Sequence, residues 1–173
     1  EFDTDRIDVW QGMRATGVKG LVIPGVEPVQ WIKAQALCHE RDACYFALGI
    51  HPWWIDKIPT DADARSTYQR QMSATLREDH GSGDRRCIAI GEAGMDKIIS
   101  TSVDEQLDLF AWHVDRANEF DLPLIIHSVR THNELIAHLR KHKPVRGGVI
   151  HAFNGSYETA MQFIDMGFYL GVG

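Results

Sequence analysis

The chain has 173 residues, 44% of them hydrophobic and 24% charged, with a formal net charge of −6. This composition excludes a disordered chain and suits one globular domain spanning residues 1–173. The acidic balance excludes a high-affinity binder that holds nucleic acid by neutralising phosphates, but not an enzyme whose positive charge comes from bound metal ions.

In chain order, Asp3-Thr4-Asp5 supply caps for a first helix that runs through Ala15 and ends at Gly17. Residues 20–24 form a short apolar run of strand length, and residues 28–41 read as a helix. A second strand at 44–49 and a helix at about 61–78 follow, then the local loop Gly81-Ser82-Gly83-Asp84 and a third strand at 87–91. Residues 103–120 form an amphipathic helix with Leu107, Phe110, Ala111, Val114 and Ala117 on one side. A strand at 123–127, a helix at 131–141, a strand at 148–151, a helix at 156–166 capped by Ser156, and a last strand at 168–172 complete the chain. Gly147 and Gly167 stand where terminating glycines belong. None of the six apolar runs alternates with polar residues, so each strand is expected to be buried on both faces.

Strand and helix alternate throughout, which means parallel βαβ units. Both a doubly wound sheet and a TIM barrel fit this pattern. Six strands are too few for a complete eight-stranded barrel, which takes about 250 residues. No run approaches the roughly 20 apolar residues of a membrane span. No signal peptide is visible, and Glu1-Phe2-Asp3-Thr4-Asp5 reads as mid-domain sequence, so an upstream segment is expected. Three cysteines, Cys38, Cys44 and Cys87, without CxxC spacing, predict reduced, buried thiols and a cytoplasmic protein.

The residues with chemical potential are not scattered. His51 follows the second run in Gly49-Ile50-His51-Pro52, and Glu92 follows the third in Gly91-Glu92-Ala93-Gly94-Met95-Asp96. His127 ends the fourth run and His151 the fifth. All four stand at carboxyl ends of predicted strands, which a parallel barrel gathers on its catalytic face. Two imidazoles and a carboxylate can hold Zn²⁺, Mn²⁺ or a similar ion and leave positions open, so metal-assisted hydrolysis is the natural reaction class. Singly, each residue has a plainer reading. A strand-end histidine can be a cap, Glu92 a solvated loop acid, and His51 part of a turn built by Pro52 and Trp53-Trp54. The repeated placement favours a site. His39, His80, His113, His138 and His142 read as solvated or structural, while Arg130 and His132 either line the site or cap the next helix. Gly91-Glu92-Ala93-Gly94 lacks the spacing of a phosphate-cradling glycine loop.

Four blocks carry a resemblance: Gly49-Ile50-His51-Pro52; Ala89-Ile90-Gly91-Glu92-Ala93-Gly94-Met95-Asp96; Leu122-Pro123-Leu124-Ile125-Ile126-His127-Ser128; and the segment from Gly148 to Ser156. In this order they resemble the signature blocks of the TatD family of metal-dependent deoxyribonucleases, and with Val22-Ile23-Pro24-Gly25-Val26 the likeness covers essentially the whole chain. The resemblance implies an α/β fold, a (β/α)₈ TIM barrel of the amidohydrolase-like group. It also implies one or two divalent ions (Mg²⁺, Mn²⁺ or Zn²⁺) and cleavage of DNA phosphodiester bonds by a metal-activated water. By position, Glu92 resembles a carboxylate bridging two metals, and His127 and His151 resemble the imidazoles on the second. His51 resembles a histidine near the scissile phosphate, with Glu92 and His51 the catalytic pair. Asn154 to Ser156 resemble a loop that borders the substrate, and Arg130 and Lys97 are the site-adjacent cations that flanking phosphates would need. Neither an organic cofactor nor an obligate protein partner nor a membrane is implied; DNA is the expected, weakly bound partner.

Three features depart from the family pattern. No His-x-His pair of a first strand is present, and no aspartate of a last strand. Ala93-Gly94-Met95-Asp96-Lys97 replaces a block that usually reads more aliphatic and aromatic. The first two departures read as truncation at both ends. A barrel hydrolase of a small amide, ester or lactone, or a homologue without catalysis, are the competing readings.

Overall fold

The computed structural model describes residues 4–57 and 62–173. Helix α1 (Arg6–Ala15) leads to β1 (Leu21–Ile23) and α2 (Pro28–His39). Strand β2 (Cys44–Leu48) continues through a 3₁₀ turn (Pro52–Lys57) into α3 (Ala62–Gly81). Then come β3 (Cys87–Asp96), α4 (Val103–Glu119), β4 (Leu124–Val129), α5 (His132–Lys141), β5 (Gly148–Ile150), α6 (Tyr157–Asp165) and β6 (Phe168–Leu170). The six strands form one sheet in sequence order, and every neighbouring pair is parallel. This is the wall of a (β/α)₈ barrel over six strands, and all carboxyl ends share one rim.

Local chemistry explains the elements. Ser102 caps α4 by accepting from the Glu105 N–H at 3.2 Å, and Asp104 and Glu105 place negative charge in its first turn. The helix buries Phe110, Val114 and Ala117, spaced three and four apart. Pro28 occupies the first turn of α2, where its missing N–H costs nothing. Trp31, Phe46, Leu48, Met72, Ile90, Met95, Phe110, Leu124, Ile126 and Phe163 fill the core under the rim. Each such side chain contributes about 1.5–3 kcal/mol by leaving water.

Four expectations change. Asp5 is the N-cap residue of α1 but makes no side-chain cap bond, because its backbone (φ −125°, ψ 12°) is not extended; Asp3 lies outside the described residues, as does Asp61 at the predicted start of α3. Burial on both faces holds for most of β2 and β3, but β1 exposes Val22 and β6 exposes Tyr169, since these strands form the two margins of the described sheet. Strand β3 runs five residues past its predicted end, to Asp96, and β4 continues to Val129. Gly147 does not terminate α5, whose C-cap is His142; it turns the chain into β5 at φ +57°.

All three cysteines are free and buried, with the Cys38 and Cys44 sulfurs 3.1 Å apart. Among the described residues no helix is long and apolar enough to cross a membrane.

Candidate active site

A bulge aims Glu92. The β3–β4 register passes from Gly91 opposite Ile125 to Ala93 opposite Ile126, so Glu92 is the extra residue. Its N–H donates to Gly25 O (2.7 Å), and Gly25 N–H donates to Gly91 O (2.9 Å), tying the bulge to the loop after β1. Gly94, at φ +155°, lets β3 lie against β4: a Cβ there would stand 2.0 Å from the His127 carbonyl oxygen.

His51 sits on a turn fixed from several sides. The Trp31 indole donates to Gly49 O (2.9 Å), His51 N–H donates to Val26 O (3.0 Å), and Ile50 N–H donates to His113 Nε2 (3.0 Å). His113 is wholly buried in α4 and gives its Nδ1 hydrogen to Leu109 O (2.8 Å). Burial lowers its pKa to about 4, so it stays neutral and keeps a lone pair for Ile50. His127 lies within β4, and His151 follows β5 with its N–H donating to Ile126 O (2.8 Å).

These side chains converge. Glu92 Oε1 is 2.9 Å from His151 Nδ1, 3.1 Å from His127 Nδ1 and 3.9 Å from His51 Nε2, while His51 Nε2 is 3.0 Å from His127 Nδ1. The far nitrogen of His127, Nε2, meets Asp96 Oδ2 at 3.1 Å. Glu92 and His51 are buried and His151 is exposed. Burial alone would raise the Glu92 pKa, but hydrogen bonds with His127 and His151, with the nearby imidazoles, outweigh it and hold it below the usual value. For His127, burial favours the neutral ring, yet Glu92 and Asp96 together raise its pKa. Burial, helped by the His127 charge, lowers that of His51 to about 4.

The hydrogen bonds also assign the ring hydrogens. Trp53 N–H donates to His51 Nδ1 (3.2 Å), so a neutral His51 carries its hydrogen on Nε2, facing the cluster. A neutral His127 that donates to Asp96 through Nε2 leaves Nδ1 bare toward Glu92 Oε1. His51 Nε2–H lies 3.0 Å from the same Nδ1, and the 3.1 Å approach of Nδ1 to Glu92 Oε1 calls for a second proton or a cation. The donor set therefore fits a divalent ion at Glu92 and His127, with His151 closing on the same oxygen.

The cluster floors an open cleft of about 680 Å³ that is also lined by Trp53, Trp54, Arg130, His132 and Asn154. Arg130 is exposed, at φ +57°, on the turn after β4. Lys97, a site-adjacent cation by sequence, is paired with Glu134 instead. Ser156 Oγ caps α6 by accepting from the Thr159 N–H (3.3 Å) and is not among the residues lining the cleft. Sequence reasoning passed over Asp96, which is fully buried, and Gln106, whose amide accepts from Asp96 N–H (2.7 Å) and donates to Asp96 O (3.0 Å). Asp96 stands four residues beyond Glu92, and only the extension of β3 shows that it reaches the rim.

A family profile described as TatD related DNase matches residues 1–173. The chain belongs to the TatD family. It is 32% identical to the metal-dependent hydrolase YjjV of Escherichia coli K12, over 99% of this chain and 63% of that protein. The crystal structure of YjjV, a TatD homologue, superposes with a TM-score of 0.84 at 31% identity. A protein named 3'-5' ssDNA/RNA exonuclease TatD from Cronobacter sakazakii is 30% identical over 99% of this chain and 62% of its own length. A TatD family hydrolase from Entamoeba histolytica shares the fold at 18% identity, with a TM-score of 0.80 over 97% of this chain and 56% of its own. The chain thus spans somewhat under two thirds of the relatives that it matches.

Proposed function

We propose that this TatD-family chain carries the greater part of a metal-dependent phosphodiesterase site acting on DNA. The carrying observation is the single oxygen, Glu92 Oε1, approached by His127 Nδ1 and His151 Nδ1 at 3.1 and 2.9 Å. Glu92, His127 and His151 would hold one divalent ion, of Mg²⁺, Mn²⁺ or Zn²⁺ type, and Glu92 would also serve a second. Such an ion supplies Lewis acidity that offsets phosphate charge and acidifies water.

The remaining residues bind and orient. His51 presents Nε2–H to the cleft and is suited to donate to a phosphate oxygen. To ligate through Nε2 it would need its hydrogen on Nδ1, against the Trp53 N–H that already points there. Arg130 offers a cation and Asn154 an amide for the flanking backbone of the substrate. Ser156 fixes the end of the loop that carries Asn154. Free, buried cysteines support a cytoplasmic setting. The exonuclease naming of the Cronobacter relative supports nucleic acid as substrate.

The test pairs metal content with cleavage of single- and double-stranded DNA for His127→Ala and His51→Ala. The reading expects His127→Ala to lose metal, and His51→Ala to keep metal and lose turnover. Metal loss in His51→Ala as complete as in His127→Ala would move His51 into the metal centre. Turnover of small esters or lactones with none of DNA would replace the substrate class.

A further inference from the structure

Asp96 is wholly buried beside the cluster, and nothing in the proposed chemistry uses it. Its carboxylate is fully engaged: Oδ2 accepts from the Trp53 indole N–H (2.7 Å) and faces His127 Nε2 (3.1 Å), while Oδ1 accepts from Ile98 N–H (2.8 Å). The backbone of Asp96 is clamped at both its N–H and its carbonyl by the Gln106 amide, which is fixed further by donating to Thr101 O (2.8 Å). Trp53 acts twice in this arrangement, since its backbone N–H donates to His51 Nδ1 (3.2 Å) while its indole N–H reaches Asp96. The bonds form a closed circuit. Trp53 fixes one nitrogen of His51, and the other nitrogen of His51 meets His127 Nδ1 at 3.0 Å. The far side of His127 meets Asp96, and Asp96 returns to Trp53.

We infer that Asp96 and Trp53 are positioning residues that divide the labour between the two imidazoles. Asp96 holds the His127 hydrogen on Nε2, so the Nδ1 lone pair faces Glu92 and the metal position. The Trp53 backbone holds the His51 hydrogen on Nε2, where it meets the His127 Nδ1 lone pair at 3.0 Å; an ion on Nδ1 would free that hydrogen for the substrate. An imidazole whose outer nitrogen donates to a carboxylate is both oriented and made a stronger ligand. Three donors converge on Asp96, so its carboxylate stays ionised and accepts without turning. The Trp53 ring, 56% exposed at the cleft mouth, closes the outer side of the carboxylate that Gln106 holds from within. This inference rests on the assignment of His127 as a metal ligand.

The experiment compares His127→Ala, Asp96→Asn and Trp53→Phe in the full chain, measuring Mn²⁺ and Zn²⁺ affinity by calorimetry. Imidazole nitrogen NMR of the metal-free chain at alkaline pH, where the rings are neutral, reports the tautomers. Wild type should show a His127 ring with hydrogen on Nε2. Asp96→Asn should lose that single tautomer and bind metal about 10–100-fold more weakly, the usual cost of removing such a partner. Trp53→Phe keeps the ring and the backbone N–H, so His51 should be unchanged while metal affinity falls by less, about threefold to tenfold. If His127→Ala keeps wild-type metal binding, the ligand assignment itself fails. If His127→Ala loses metal but Asp96→Asn retains both affinity and tautomer, only this inference fails. Should Asp96→Asn not fold, Trp53→Phe decides, and unchanged metal affinity there overturns the proposal.

Discussion

The two sides of the cleft are built differently. On the β2–β4 side, His51, Glu92, His127 and Asp96 are interlocked, with side-chain exposures of 10, 7, 16 and 0%. Gly25 holds Glu92, Trp53 holds His51 and Asp96, and Gln106 holds Asp96, while His127 is held between Glu92 and Asp96. On the β5–β6 side, the His151 side chain is 52% exposed and its contact with the site is Glu92 Oε1; Asn154 is exposed as well. One side is organised before anything binds, and the other is free to adjust to what arrives. Preorganisation lowers the cost of placing a charged group, whereas an exposed arm follows its ligand.

The sharpest break of this contrast is Glu92→Gln, because Glu92 is the one group that both sides share. It keeps the shape and removes the charge, so metal affinity should fall on the order of 100-fold or more, beyond the loss typical of a merely supporting residue. Metal content after gel filtration measures it; near-complete retention would remove Glu92 from the centre.

Next comes the buried support of the β2–β4 side. His113 has a folded pKa of about 4 against 6.5 for a free ring. Between these values the unfolded chain takes up a proton that the folded ring refuses. Its stabilising effect is therefore full above pH 6.5 and is lost as pH falls toward 4, by on the order of 3 kcal/mol. Denaturant unfolding across this window should show the fall in wild type and a shallower one in His113→Gln, which can still accept from Ile50. Equal slopes in the two proteins would show that other groups govern the acid limb.

A smaller effect separates the two imidazoles on Glu92. His127→Ala removes a ring braced by Asp96, and His151→Ala removes an exposed one with a single site contact. His127→Ala should weaken metal binding more, by about tenfold. Excess metal should restore His151→Ala more readily. Equal losses in a calorimetric titration would erase the contrast between the two sides.

The smallest effect belongs to Ser156→Ala, which removes the α6 cap at about 1 kcal/mol and leaves metal affinity unchanged. A thermal melt and a metal titration together test this. A clear loss of metal would place Ser156 closer to the cluster than its cap geometry allows.

Much of this was legible along the chain. Short apolar runs alternating with amphipathic stretches specify parallel βαβ units, since hydrophobic period and strand length are local properties. His51, Glu92, His127 and His151 could be picked out because a parallel barrel turns strand ends into one rim, and the chain marks those ends itself. The bulge at Glu92 was not legible. Gly91 and Gly94 hint at close backbone approach, but the register shift depends on how β3 meets β4. For the same reason Asp96 looked like part of the loop after Glu92. Its membership in the strand follows from pairing with Val129 and from the Gln106 clamp, neither of which is near it in sequence.

The sequence by itself thus determined the parallel βαβ units, the helix faces and the chemical groups at the strand ends, because these follow from local periodicity and chain connectivity. Only the tertiary structure decided which nitrogen of each imidazole faces the cluster. That choice is made by hydrogen bonds from Trp53 and Asp96, groups on different elements, whose meeting depends on distances of about 3 Å that no spacing along the chain encodes.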